Sequence, residues 1–328
     1  MVQVAVLDDW QGVARRSADF AALEARAAVT VFTEPFADEA AAAAALAPFE
    51  VLIAMRERTA FSATLLARLP RLKMIALTGL RAASLDLAAC TRQGVLVCNT
   101  GSGNSGIVTA ELALGLLLAA ARRIPQGDAA IRAGQFQAGV PLGSGLDGAT
   151  LGIIGLGRIG SRVAGYGRAL GMRVLGWSPN LTPERAAAAG AEYATRDALL
   201  AESDAVSLHM VLSAATRGLL GAAELARMKP GAILINTSRG PLIDAASLVA
   251  AVTEGRIVAA LDVYDREPLA ADDPLRRAPN TVLTPHLGYV TAPVFAIFYS
   301  DAIADVLAFL DGAPVRMLNP EAIGRAPA

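Results

Sequence analysis

The chain has 328 residues, 54% hydrophobic and 18% charged, and its 29 Lys plus Arg nearly cancel its 30 Asp plus Glu, leaving a formal net charge of -1. That length allows two ordinary domains, each with its own core; the composition excludes a disordered chain, and near-neutrality without a basic block gives no footprint for nucleic acid or an anionic membrane. Two cysteines, Cys90 and Cys98, with no Cys/His cluster at zinc spacing, exclude a disulfide framework and a structural metal and point to a reducing compartment.

In chain order, "VQVAVL" from Val2 reads as a first strand rather than a leader, and the longest apolar run, "LALGLLLAAA", is too short to span a bilayer. A cytoplasmic protein is expected. "VTVF", "VLIAM", "LKMIALT" and "VLVCNT" follow as strands, and the alanines Ala40 to Ala45, flanked by Asp38, Glu39 and Leu46, read as a plain surface helix of strong formers. Ala110 to Arg123 carries apolar residues at helical spacing, and the glycine- and proline-rich stretch Ile124 to Gly148 that follows reads as a connection or arm. A second group of strands comes next: "TLGIIGLG", "RVLGW", "AVSLHM", "AILINTS", "IVAALDVY" and "TVLTPH". From Pro293 the chain is again helical and closes with an extended tail. Such alternation marks parallel α/β layers, with a boundary near residue 100; whether the last helix packs back on the first strands is left open.

A GxGxxG pattern occurs twice, at Gly101-Gly103-Gly106 and at Gly155-Gly157-Gly160. Dinucleotide binding needs a strand before the glycines, a helix after them and a second parallel strand, because the pyrophosphate sits on unpaired N–H groups at the helix start. The first match is followed by "IPQGDAA" and lacks the second strand; the second runs from "TLGII" through "RIGSRVAGYGRAL" to "MRVLGW" and has the whole unit. There Gly155 permits the tight turn, Gly157 lets backbone approach phosphates, and Gly160 lets helix and strand pack closely. The acid that would hold the adenosine ribose is expected at the end of "RVLGW", where the chain has Ser178, Pro179 and Asn180. Its absence removes the barrier to NADP; Arg185, the nearest candidate for a cationic clamp, is expected on a solvated helix face, so NAD is favoured over NADP for want of an arginine beside Ser178.

Three polar segments then end successive strands: "INTSRG" with Arg239, "ALDVYDREP" with Asp262 and Glu267, and "LTPHLG" with His286. In an open α/β sheet, ligands bind outside the carboxyl ends of the strands. A lone histidine beside an apolar run is more commonly a hydrogen-bonded loop or core residue, but hydride transfer at a carbinol carbon also needs a proton donor near neutral pH, and imidazole suits that role. A carboxylate beside it fixes its tautomer and raises its pKa. A guanidinium binds a substrate carboxylate and polarises the adjoining carbonyl. Glu267, Arg239 and His286 are these three types.

On "VLVCNT", "TAELALGLLLAAAR", "LGIIGLGRIG", "SLHM", "MKPGAILINTSRGPLID", "ALDVYDREPL" and "LTPHLGYVT", the chain resembles the D-isomer-specific 2-hydroxyacid dehydrogenases over nearly its whole length. The resemblance implies two doubly wound parallel-sheet α/β domains: a Rossmann NAD(P)-binding domain over 101–291, inserted in a discontinuous flavodoxin-like substrate domain of 1–100 and 292–328, with two helices as a hinge. It gives Arg239, Glu267 and His286 the catalytic roles. Asp262 would hold the nicotinamide carboxamide, and the cofactor set would comprise Gly155, Leu156, Gly157, Arg158, Ile159, Gly160, Ser178, His209, Thr237 and Thr109. Backbone N–H groups of the loop Leu77 to Arg81, including Thr78, Gly79 and Leu80, would bind the substrate carboxylate, with Tyr289 lining the cleft. Arg56 and Arg58 would reach an anionic substituent or simply stand exposed. No metal is implied, and the arm after Ile124 would join a homodimer.

The chain departs from the family pattern at Arg81, Tyr289 and Val211; the first two bear on which side chain the substrate carries. His209 ends "AVSLHM" and is read as structural or as supporting the nicotinamide site. The expected function is hydride transfer between NAD(P)H and a small-molecule 2-keto acid. A nicotinamide-sensing binding protein of the same fold is the alternative, disfavoured because the chain begins on its first strand and ends soon after "VRMLNP". A metal-dependent hydrolase is excluded by having only two distant histidines.

Overall fold

The computed structural model describes residues 1–80 and 82–324, so Arg81 lies outside the described residues. The chain divides into two compact units, one formed by Met1–Asn104 with the segment from Thr291 onward, the other by Ser105–Val290.

The first unit holds five parallel strands, β1 (Val2–Val6), β2 (Ala27–Val31), β3 (Val51–Ala54), β4 (Met74–Leu77) and β5 (Leu96–Asn99), in the order β2-β1-β3-β4-β5. β3 and β4 are buried throughout, which is why they read as unbroken apolar runs rather than alternating ones. The polyalanine segment forms the helix Glu39–Leu46, started by the Asp38 side chain, which accepts from the Ala41 N–H at 2.7 Å. It is not merely a surface helix: Ala42, Ala43 and Leu46 are buried in the core of this unit, because methyl-sized side chains let the helix lie close to its neighbours.

The long helix Ala292–Leu310 packs against β4 and β5, burying Val294, Phe295, Phe298, Tyr299, Ala302 and Val306. At 19 residues with a mean hydropathy of 1.7, it is long and apolar enough by composition to cross a membrane, a segment that attention to "LALGLLLAAA" overlooks; here 44% of it is buried in the protein. The tail beyond pairs with β5: Asn99 N–H donates to the Arg316 carbonyl at 3.0 Å and Leu318 N–H to that of Val97 at 2.8 Å. Buried Asn319 fastens it, accepting from Val97 N–H at 2.7 Å and donating to the Val95 carbonyl at 3.0 Å.

The second unit holds seven parallel strands, β6 (Thr150–Ile154), β7 (Arg173–Trp177), β8 (Glu192–Tyr193), β9 (Ala205–Leu208), β10 (Ile233–Asn236), β11 (Val258–Leu261) and β12 (Thr281–Leu283). Their order is β12-β11-β10-β9-β6-β7-β8, so the winding reverses between β6 and β9, the switch point where doubly wound sheets bind ligands. β8 carries no apolar signal because both its residues are exposed at the sheet edge.

The segment read as an arm is helical over Ile124–Arg132 before losing regular structure. Pro125 misled there: in the first turn of a helix its missing N–H breaks no hydrogen bond, so it starts this helix rather than preventing it. The preceding helix, Ser105–Ala121, begins five residues before the expected start at Ala110 and is separated from the next by Arg123, whose φ is +53°.

Candidate functional site

The second glycine fingerprint joins β6 to the helix Arg158–Ala169. Gly155 has φ +98°, and a Cβ there would lie 2.6 Å from the carbonyl of His209, where the chain leaving β9 crosses the turn. A Cβ on Gly160 would lie 2.2 Å from the Gly155 carbonyl oxygen and 3.0 Å from Ile153. Gly157, by contrast, faces open space and caps the helix without any side-chain hydrogen bond. The result is a bare helix start with uncapped N–H groups and no Cβ in front of it, which fits a pyrophosphate. Leu156 is buried in the core and Ile159 packs on it, so these two can offer a ligand only backbone; Arg158 is exposed, its guanidinium beside Gly106.

Gly160→Ala should force helix and strand apart against backbone and cost about 1–3 kcal/mol of stability, read as a lower urea midpoint. An unchanged midpoint would mean that the close approach at this position is dispensable.

The strand ends beside this turn supply further polar groups. His209 shares a 2.9 Å hydrogen bond between Nε2 and the Ser207 hydroxyl, burial drives its pKa down to about 4, and its buried Nδ1 has no hydrogen-bond partner among the described residues. The hydroxyl of Thr237, just past β10, is likewise buried and unpartnered. Two such orphans just past the carboxyl ends of the adjacent strands β9 and β10 fit a polar ligand. Ser178 and Asn180 follow β7, and Arg185, though exposed, folds back so that Nη1 donates to the Asn180 carbonyl at 2.9 Å.

Arg239, Glu267 and His286 follow the adjacent strands β10, β11 and β12. The Arg239 loop is closed by Asn236, which donates to the Arg239 carbonyl at 2.8 Å, and by Ser238, which donates to the Leu208 carbonyl at 2.8 Å. Arg239 Nη1 donates to the Ser238 carbonyl at 2.7 Å. The structure brings Glu267 and His286 together: His286 Nδ1 lies 2.6 Å from Glu267 Oε2, while Glu267 Oε1 accepts from the Tyr264 N–H at 2.9 Å. With Nδ1 committed to the carboxylate, Nε2 is left without a partner among the described residues. The ring of Tyr289, itself buried rather than lining an open wall, meets the imidazole edge-on with centroids 5.5 Å apart.

His286 sits at φ +55°, a conformation that costs a non-glycine residue about 1–3 kcal/mol and needs support from its surroundings. That support comes from Asp262, which is fully buried. Its Oδ1 accepts from the Thr284 hydroxyl at 2.6 Å and the Leu287 N–H at 2.7 Å, and its Oδ2 from the Gly288 N–H at 2.9 Å. Burial pushes its pKa up, against these hydrogen bonds and the nearby His286. The expectation that Asp262 holds a nicotinamide carboxamide thus meets a carboxylate whose two oxygens already grip the His286 loop. The single hydroxyl proton of Thr109, expected at the cofactor, is shared between the Gly288 carbonyl on the same loop at 2.8 Å and the Ser105 carbonyl at 2.7 Å. Sequence reading missed Tyr264, whose hydroxyl donates to the Thr284 carbonyl at 3.0 Å; its position in "DVYDREP" was the available signal.

In the first unit, the expected carboxylate loop is partly spent. Thr78 N–H donates to the Ala54 carbonyl at 2.9 Å and Gly79 N–H to the Thr100 hydroxyl at 2.7 Å, leaving the Leu80 N–H as the donor without a partner among the described residues. The Thr78 N–H extends the parallel ladder one residue past β4, and the Gly79 N–H is taken by a side chain instead. Arg56 has φ +48°, its N–H donates to the Thr78 hydroxyl at 3.1 Å, and its guanidinium lies against Gly79. Arg58 stacks 4.5 Å over the Trp10 ring and donates to the Asp8 carbonyl at 2.6 Å, so it is held in place rather than simply exposed. Among the described residues, no group of three His, Cys, Asp or Glu side chains is arranged to hold a metal.

The family described as D-isomer specific 2-hydroxyacid dehydrogenase, NAD binding domain, matches residues 114–288. The D-3-phosphoglycerate dehydrogenase of Archaeoglobus fulgidus is 38% identical over 80% of this chain, which spans only 50% of that protein's length. The glyoxylate reductase of Aeropyrum pernix is 41% identical over 79% of this chain and 80% of its own. A solved phosphoglycerate oxidoreductase from Vibrio cholerae is 37% identical, with a TM-score of 0.90 over 95% of this chain and 100% of the other.

Proposed function

Because the chain belongs to the D-isomer-specific 2-hydroxyacid dehydrogenase family, we propose that it is a nicotinamide-dependent oxidoreductase interconverting a 2-keto acid and a D-2-hydroxy acid. A bound nicotinamide supplies or removes the hydride. The residues of this chain handle the proton and the anion. Gly155, Gly157 and Gly160 present the helix start to the pyrophosphate, while His209 Nδ1 and the Thr237 hydroxyl, both buried without partners among the described residues, are polar atoms available to the cofactor.

In reduction, His286 gives its Nε2 proton to the keto oxygen as C2 takes the hydride, and Glu267 steadies the imidazolium through Nδ1. Arg239 holds the substrate carboxylate and stabilises charge growing on the oxygen. Asp262, Thr109 and Tyr264 position the His286 loop, and Tyr289 packs the ring. The observation that carries this reading is the 2.6 Å His286–Glu267 pair, which leaves Nε2 unpartnered among the described residues.

The substrate is a small molecule, with the cytoplasm as the compartment and neither nucleic acid nor membrane as partner. A homodimer through the arm is supported by Ile124, Ile131, Phe136 and Leu142, which are 54%, 57%, 74% and 96% exposed; a monomer mass in light scattering would remove it. The test of activity is absorbance of the reduced nicotinamide, with NADH and NADPH against a panel of 2-keto acids. Turnover on at least one is expected. Dinucleotide binding without turnover on any would replace the enzyme with a nicotinamide-sensing protein.

A further inference from the structure

We propose that the chain selects NADP(H) over NAD(H), and that Ser178, Asn180 and Arg185 form the seat for the adenosine 2′-phosphate. The proposal rests on the β6–helix–β7 unit being a dinucleotide site. In such a unit the adenosine ribose falls at the end of the second strand, where a carboxylate takes the ribose diol and repels a 2′-phosphate, or an arginine accepts the phosphate.

At that place, after Trp177, the chain has the neutral residues Ser178, Pro179 and Asn180. The Leu181 N–H donates to the Ser178 carbonyl at 3.1 Å and the Leu181 side chain is buried, so the turn is anchored at its far end. Arg185 stands five residues beyond Asn180 on the helix Pro183–Ala188. Its guanidinium nonetheless returns to the turn, Nη1 donating to the Asn180 carbonyl at 2.9 Å. One carbonyl engages one arm of a fork with five N–H donors, and the planar remainder suits two phosphate oxygens. The Ser178 hydroxyl and the Asn180 amide add neutral donors on the same turn.

The acid on this helix, Glu184, has its pKa lowered by the nearby Thr182 hydroxyl. It is the competing group, because a carboxylate that reached the ribose would favour NAD(H). The balance between Arg185 and Glu184 therefore decides the cofactor.

Energy transfer from indole to bound reduced nicotinamide, with Trp177 ending β7, reports binding without turnover. The full-length protein is titrated with NADPH and NADH. NADPH is expected to bind about tenfold more tightly, the size of one hydrogen bond to a charged group, and Arg185→Ala is expected to close that gap by weakening NADPH. Equal or tighter binding of NADH, a preference that survives Arg185→Ala, or Glu184→Gln weakening NADH would each overturn the assignment. If neither dinucleotide binds while thermal melting shows a folded protein, the dinucleotide site itself is refuted, and the assignment of Arg185 with it.

Discussion

His286→Ala is expected to lower turnover by about 10²–10⁴ on whichever 2-keto acid serves best, while dinucleotide binding by fluorescence stays close to that of the parent protein. The proton donor is lost, but the glycine turn and the strand ends on the cofactor side are untouched. Alanine also meets the φ of +55° at this position, so part of its effect comes from the loop. His286→Asn separates the two contributions, since asparagine tolerates the left-handed region better than most residues yet cannot serve as an acid near neutral pH. Both variants should be equally slow if proton delivery is the cause. Full activity in either would remove His286 from the reaction.

Asp262→Ala is expected to be nearly as damaging by another route. Three donors, the Thr284 hydroxyl and the Leu287 and Gly288 N–H groups, lose their acceptor inside the protein, at about 1–3 kcal/mol for each group left unsatisfied. The loop then has no reason to keep His286 in a strained conformation. A lower urea midpoint and at least a tenfold loss of turnover, roughly 1.4 kcal/mol of barrier, should appear together. Asp262→Asn keeps one acceptor oxygen but turns an amide N–H toward backbone donors, so it should fall between parent and alanine. A variant with parental stability and a slow reaction would argue instead that Asp262 touches cofactor or substrate directly.

Parallel strands buried on both faces announce themselves, and β3, β4 and β10 were legible for that reason; the exposed pair Glu192–Tyr193 had no such signature. Spacing separated the two glycine triplets because a dinucleotide unit requires a second strand, which only one of them has. Residue type pointed to a carboxylate beside His286, and the 2.6 Å contact with Glu267 is present. Less accessible were features set by backbone geometry rather than by residue type. No sequence pattern shows that His286 and Arg56 adopt positive φ, or that Arg185 bends back to its own turn. Nor does sequence show which N–H groups beyond β4 the sheet and Thr100 have already taken. Asp262 illustrates the same limit: its sequence position does not show that it is fully buried and accepts from three donors on the His286 loop.

The hydrogen bond from Thr109 to the Gly288 carbonyl has a consequence for how one folded body can be housed in the middle of another's sequence. The chain enters the second unit at Ser105 and leaves it at Val290, and this bond ties together positions four residues after the entrance and two before the exit. Entrance and exit therefore emerge side by side, as chain termini of autonomous domains commonly do. For the surrounding unit, the 186-residue excursion closes like a short loop, sparing it most of the entropy that a long floppy insert would cost.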